Sequence, residues 1–211
     1  FPIATGAPVE KPLAKFFFGF FGVMLVGFMV TQRRLRLTLM GLGFAAVAAW
    51  AIVDQYVLGH LAAHVADYVK EAGTFFKEPD KIKVWGDNVT LASHAVIGGL
   101  IVIMVAVWLG VAKVRGFELL LALVPALLPV FFVIEYAAWL WFFGHNLHPW
   151  GAFTVKPFMP TVFGEGKVAQ FSTYSYPSWG YALLVVAMGC LLLALLLRRR
   201  SLRDDPGQTS P

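Results

Sequence analysis

A single cysteine stands in 211 residues, and its isolation excludes several chemistries. Cys190 lies inside an apolar run. The chain therefore forms no internal disulfide, and no thiolate-held zinc or iron–sulfur centre by itself. Charge is scarce too: 14% of residues are Asp, Glu, Lys or Arg, against about 25% in an average soluble domain. No P-loop, dinucleotide fingerprint, Ser/His/Asp set or nucleic-acid motif occurs. What is abundant is apolar, with 59% hydrophobic residues and a mean hydropathy of +0.72. A helix of about 20 apolar residues crosses about 30 Å of hydrocarbon, and several segments qualify. These features predict an all-α, polytopic integral membrane protein.

In chain order, residues 1–12 read as an outer N-terminal arm rich in Pro and Gly. They begin at Phe1 rather than Met, which leaves a removed leader open. Residues 13–53 form a transmembrane hairpin of two spans, turned at Thr31–Arg36. Residues 54–94 are too polar for lipid and read as an outer amphipathic helix followed by a loop. In the helix, Val57, Leu61, Val65, Tyr68 and Ala72 recur at steps of three or four and make one apolar stripe. Lys77–Lys83, with Pro79, reads as a surface loop, and Asp87–Thr90 as a cap for the next helix. Residues 95–143 make a second hairpin, whose later span carries Pro125, Pro129 and Glu135. Residues 144–178 are an outer loop rich in aromatics and Pro, residues 179–200 a fifth span, and residues 201–211 a cytoplasmic tail. The Gly41/Gly43 and Gly98–Gly99 pairs are expected to let helices approach closely.

The net charge of +5 is sorted along the chain. All eight arginines lie in the turns at 33–36 and 113–115 or in the segment 198–203. The positive-inside rule places those segments in the cytoplasm. The expected topology has five spans, an outside N-terminus and a cytoplasmic C-terminus, in a bacterial or archaeal cell membrane. The basic excess thus signals orientation, and nucleic acid is not an expected partner.

This topology puts every histidine on the outer side. His60 and His64 are four apart on one helix, Asp67 follows three later, and His94 opens the next span. Imidazoles at i and i+4 share a face and can bind one ion. The expected metal site is therefore His60, His64, Asp67 and His94, a donor set suited to copper or another transition metal. The plainer alternative is a set of interfacial histidines bonded to neighbours or to another subunit. His145 and His148 form a second pair whose part in the site stays open. Glu135 is costly in hydrocarbon, and is either a proton-handling group beneath the histidines or a bond to a neighbouring helix.

Short pieces of the chain carry a family resemblance. Trp50-Ala51-Ile52 ends one span, Asp87 and Ser93-His94 lead into the next, and Glu135-Tyr136 and Trp141-Phe142 lie in the fourth. In these the chain resembles the C subunit of copper membrane monooxygenases, the particulate methane and ammonia monooxygenase family. The family's Asp-x3-His motif is not reproduced, and His94 is the counterpart of its last metal histidine. The resemblance implies a membrane subunit of an oxygen-dependent copper enzyme acting on a small apolar substrate, with other membrane subunits as partners. The competing expectation is a non-catalytic accessory subunit that stabilises a respiratory or photosynthetic complex. A transporter is a third, but no internal repeat supports it.

Overall fold

The computed structural model describes residues 8–146, 156–168 and 171–204. The chain is mostly helical, and five of its helices are long and apolar enough to cross a membrane: Glu10–Met29, Arg33–Val57, Pro79–Lys113, Leu128–His145 and Trp179–Ser201. It divides into two compact units, Phe1–Leu121 and Ala122–Pro211.

The first unit begins with an antiparallel pair, α1 (Glu10–Met29) and α2 (Arg33–Ile52). Small residues on one helix meet large ones on the other. A Cβ at Gly19 would lie 3.0 Å from Val47, one at Gly43 2.8 Å from Val23, and one at Gly27 2.5 Å from Met40. These contacts step down the pair and fix its register. Gly41 meets Trp108 instead, 3.3 Å from the indole nitrogen, whereas Gly98 and Gly99 have nothing within 4 Å and allow no such approach.

After Ile52 the helix widens into a π turn, Val53–Val57, closed by Leu58 N–H donating to the Val53 carbonyl at 2.9 Å. Gly59 then takes a left-handed conformation, φ 72°, which glycine adopts without steric cost. The chain turns there into α3 (His60–Phe75). The amphipathic helix expected to run on from Tyr56 is thus a separate element starting at His60. Its stripe is buried at Leu61, Tyr68 and Ala72, against α4 (Pro79–Lys113).

α4 corrects two expectations. Lys77–Lys83 is not a loop throughout, because helix begins at Pro79, a first-turn residue whose missing N–H costs nothing there. Asp87–Thr90 is helix interior rather than a cap. Ile82, Gly86, Val89, Ser93, Ile97, Leu100 and Met104 are all buried at helical spacing, so one packed stripe runs through the polar stretch into the apolar one. A short 3-10 turn, Phe117–Leu119, follows.

The expected fourth span is broken. α5 (Leu120–Ala126) and α6 (Leu128–His145) part at Leu127, flanked by Pro125 and Pro129, which cannot donate to the helical ladder. In the second unit α6 packs against α7 (Trp179–Asp204). Between them in sequence lies an antiparallel hairpin, β1 (Gly164–Val168) and β2 (Phe171–Ser175), pairing Gly164 with Ser175 and Gly166 with Thr173. The stretch expected to be loop therefore contains a two-stranded sheet.

Candidate functional site

The polar centre of the first unit is Asp54, in the π turn. The widened turn rotates successive residues less than an α-helix does, and both Asp54 and Gln55 become buried. A buried carboxylate needs donors, and Asp54 has two on one oxygen, with an imidazole beside the other. Lys15 of α1 donates to Oδ2 at 2.6 Å and Gln55 Nε2 to the same oxygen at 2.6 Å, and His60 Nδ1 lies 3.1 Å from Oδ1. Lys15 itself sits 5.1 Å from the ring centre of Phe16 and 5.9 Å from that of Trp50. Those rings meet edge to face at 4.9 Å. A cation beside aromatic faces gains from their quadrupoles.

With Nδ1 of His60 turned to the carboxylate, Nε2 is the ring nitrogen that Asp54 leaves free. His60 is exposed, at 56% of its side-chain surface. A carboxylate placed beside one ring nitrogen is the arrangement that orients an imidazole as a metal ligand through the other. Asp54 has no part in the site expected from the sequence. Its acidic character at a span's end was the available signal.

The other expected site residues have separate surroundings. His64, half-buried, donates from Nε2 to the Pro8 carbonyl at 2.6 Å, which ties the N-terminal arm to α3. His94, exposed on α4, stacks on Tyr56 with centroids 5.5 Å apart. Asp67 is exposed on α3. Among the described residues no three His, Cys, Asp or Glu side chains are grouped to hold a metal ion. In the second unit His145 donates from Nδ1 to the Trp141 carbonyl at 2.8 Å and stacks on the Trp141 ring. His148 lies outside the described residues. Glu135 is exposed on α6.

One buried group of α3 stands apart. The Tyr68 hydroxyl has no hydrogen-bond partner among the described residues, and burial pushes its pKa up to about 12. Desolvation disfavours the phenolate. The packing of α3 on α4 thus carries an unpaired hydroxyl within an otherwise apolar seam.

No protein-family model, no curated protein and no solved structure matches this chain.

Proposed function

We propose that this chain is a subunit of a multi-subunit membrane oxidoreductase with a metal site near the outer membrane face. In this reading it spans a bacterial or archaeal cytoplasmic membrane five times, with its N-terminus outside. The observation that carries the reading is His60, held through Nδ1 by buried Asp54 and presenting Nε2 to solvent. His60 is then the anchoring ligand, with His64, Asp67 and His94 as the further donors. Completing that set requires His64 to leave the Pro8 carbonyl and His94 to leave the Tyr56 ring. Copper bound there would supply oxygen chemistry for a small apolar substrate arriving through the bilayer. This chain's own residues do the positioning: Lys15 and Gln55 hold the Asp54 carboxylate in place, and Asp54 faces Nδ1 of His60.

The separate engagement of His64 and His94 favours a second reading, an accessory subunit whose histidines serve packing. Metal analysis of the gently solubilised complex, with each subunit identified by mass spectrometry, separates the two. Stoichiometric copper that is lost in His60→Ala, His64→Ala and His94→Ala alike is the expected result. A chain that co-purifies with a large complex, and whose metal content ignores all three substitutions, is an accessory subunit.

A further inference from the structure

The second unit holds a cavity of about 370 Å³ between α6, the hairpin and the start of α7. Small-molecule sites usually fall between about 300 and 1,000 Å³ and combine an apolar lining with a few placed polar groups. This one has both. Phe132, Phe163 and Tyr181 give aromatic walls, and Tyr136 and Ser175 place two hydroxyls in it. Among the described residues no charged side chain lines it.

The hydroxyls count as follows. The Tyr136 and Ser175 oxygens are 3.2 Å apart, so one proton is spent between them and the other is left to donate elsewhere. An acceptor oxygen in the cavity would take it. The rings of Phe132 and Tyr136 are almost parallel, at 3°, with centroids 6.3 Å apart, and Phe132 lies 5.9 Å from Tyr181. Such faces suit a flat ring better than a flexible chain, because ring stacking is worth more than area alone. The uncharged lining disfavours an ionised headgroup, which would enter without a counter-charge. Both flanking helices expose apolar side chains, among them Phe131 and Leu183, so a greasy tail has an apolar surface to follow.

We infer that this cavity binds the ring of a neutral, membrane-soluble quinone, with a ring carbonyl accepting from the Tyr136–Ser175 pair. The site is independent of any metal at His60 and stands if that reading fails.

Gly180 supplies the decisive variant. It lines the cavity, and a Cβ there meets only Ser178 Oγ at 3.8 Å, so a large side chain enters the cavity rather than the packed core. The full chain is placed in nanodiscs and dialysed against protein-free nanodiscs carrying a decyl-tailed benzoquinone. Retained quinone per chain is then measured, with decylbenzene and oleate as comparison probes. The expected result is saturable retention of the quinone alone, lost in Gly180→Phe and weakened about fivefold in Tyr136→Phe, the size of one lost hydrogen bond. Size-exclusion behaviour and circular dichroism identify any variant that misfolds, and the remaining variant then decides. Equal retention in correctly folded variants overturns the proposal. So does retention no greater than in protein-free discs, or tighter retention of oleate or decylbenzene, which would make the cavity a chain groove.

Discussion

The first unit has a charge pair with one buried member at each end, and the two are built differently. At one end Arg36 is 5% exposed and donates from Nε to the Val30 carbonyl at 2.9 Å and from Nη2 to the Thr31 carbonyl at 3.3 Å. Its third nitrogen faces Glu118 at 3.6 Å. Neighbouring Arg33 donates to the Ala112 carbonyl, and Trp108 to the Leu37 carbonyl. This end ties the α1–α2 turn to α4 and the 3-10 turn around one buried guanidinium, with Arg33 bonding across the exposed rim. At the other end the buried Asp54 is held by Lys15 and Gln55, and the imidazole beside it, His60, is mostly exposed. A buried guanidinium bonded to backbone carbonyls holds elements together. A carboxylate that faces an exposed imidazole also leaves a ring atom within reach of something outside. That difference is why the proposed site is set at the Asp54 end.

The largest effect is expected where the comparison is easiest to break. Arg36→Met leaves Glu118 and two turn carbonyls without their donor. Removing one partner of a buried pair costs about 3–5 kcal/mol, so thermal unfolding in detergent should show a strongly destabilised protein with any metal at the far end retained in its folded fraction. Asp54→Asn reverses the pattern. It keeps the shape of the side chain but loses the charge-assisted bonds, for about 1–3 kcal/mol, while metal affinity at His60 should fall about 10–100-fold, the usual cost of a lost orienting partner. Unfolding and metal titration on the same sample check this, and a fall in stability with unchanged metal affinity would reduce Asp54 to a packing role. His60→Ala sharpens the contrast further: Asp54 keeps Lys15 and Gln55, so stability should fall by no more than about 1–2 kcal/mol, while the proposed metal should be lost entirely.

The smallest effect lies between the ends, at Tyr68. The folded chain holds the phenolic proton up to about pH 12, above the ordinary value of 10.0. The unfolded chain releases it earlier, so this group leaves stability unchanged below about pH 10 and lowers it as pH rises from there to about 12. Tyr68→Phe should remove the last step of the tyrosinate absorbance titration and abolish that loss. A titration unchanged by the substitution would mean that the hydroxyl is not buried against α4.

The apolar spans were legible because lipid imposes length and composition on a single stretch of chain, as in Leu37–Val53. The Asp54 cluster was not, because its cation, Lys15, comes from another helix 39 residues away. Nor does any local pattern announce a π turn at Val53–Val57. The start of α4 was readable in principle. Ile82, Gly86, Val89 and Ser93 keep helical spacing, but Lys81, Lys83 and Asp87 on the other faces obscured it. The hairpin was hidden differently: Gly164–Val168 has almost no apolar alternation, and its strand form rests on pairing with Phe171–Ser175. Of the expected site, the spacing of His60, His64 and Asp67 on one helix was visible, whereas the separate partners of His60, His64 and His94 depend on how α3 and α4 sit around the arm and the π turn.

The π turn can also be read as one residue more than a regular helix needs. Leu58 bonds five residues back, to Val53, where an α-helix bonds four back. Taking one residue out of Val53–Val57 would close the turn as ordinary helix and leave the chain after it facing nearly as before. What the extra residue changes is local: it is absorbed within the turn that buries Asp54 and Gln55.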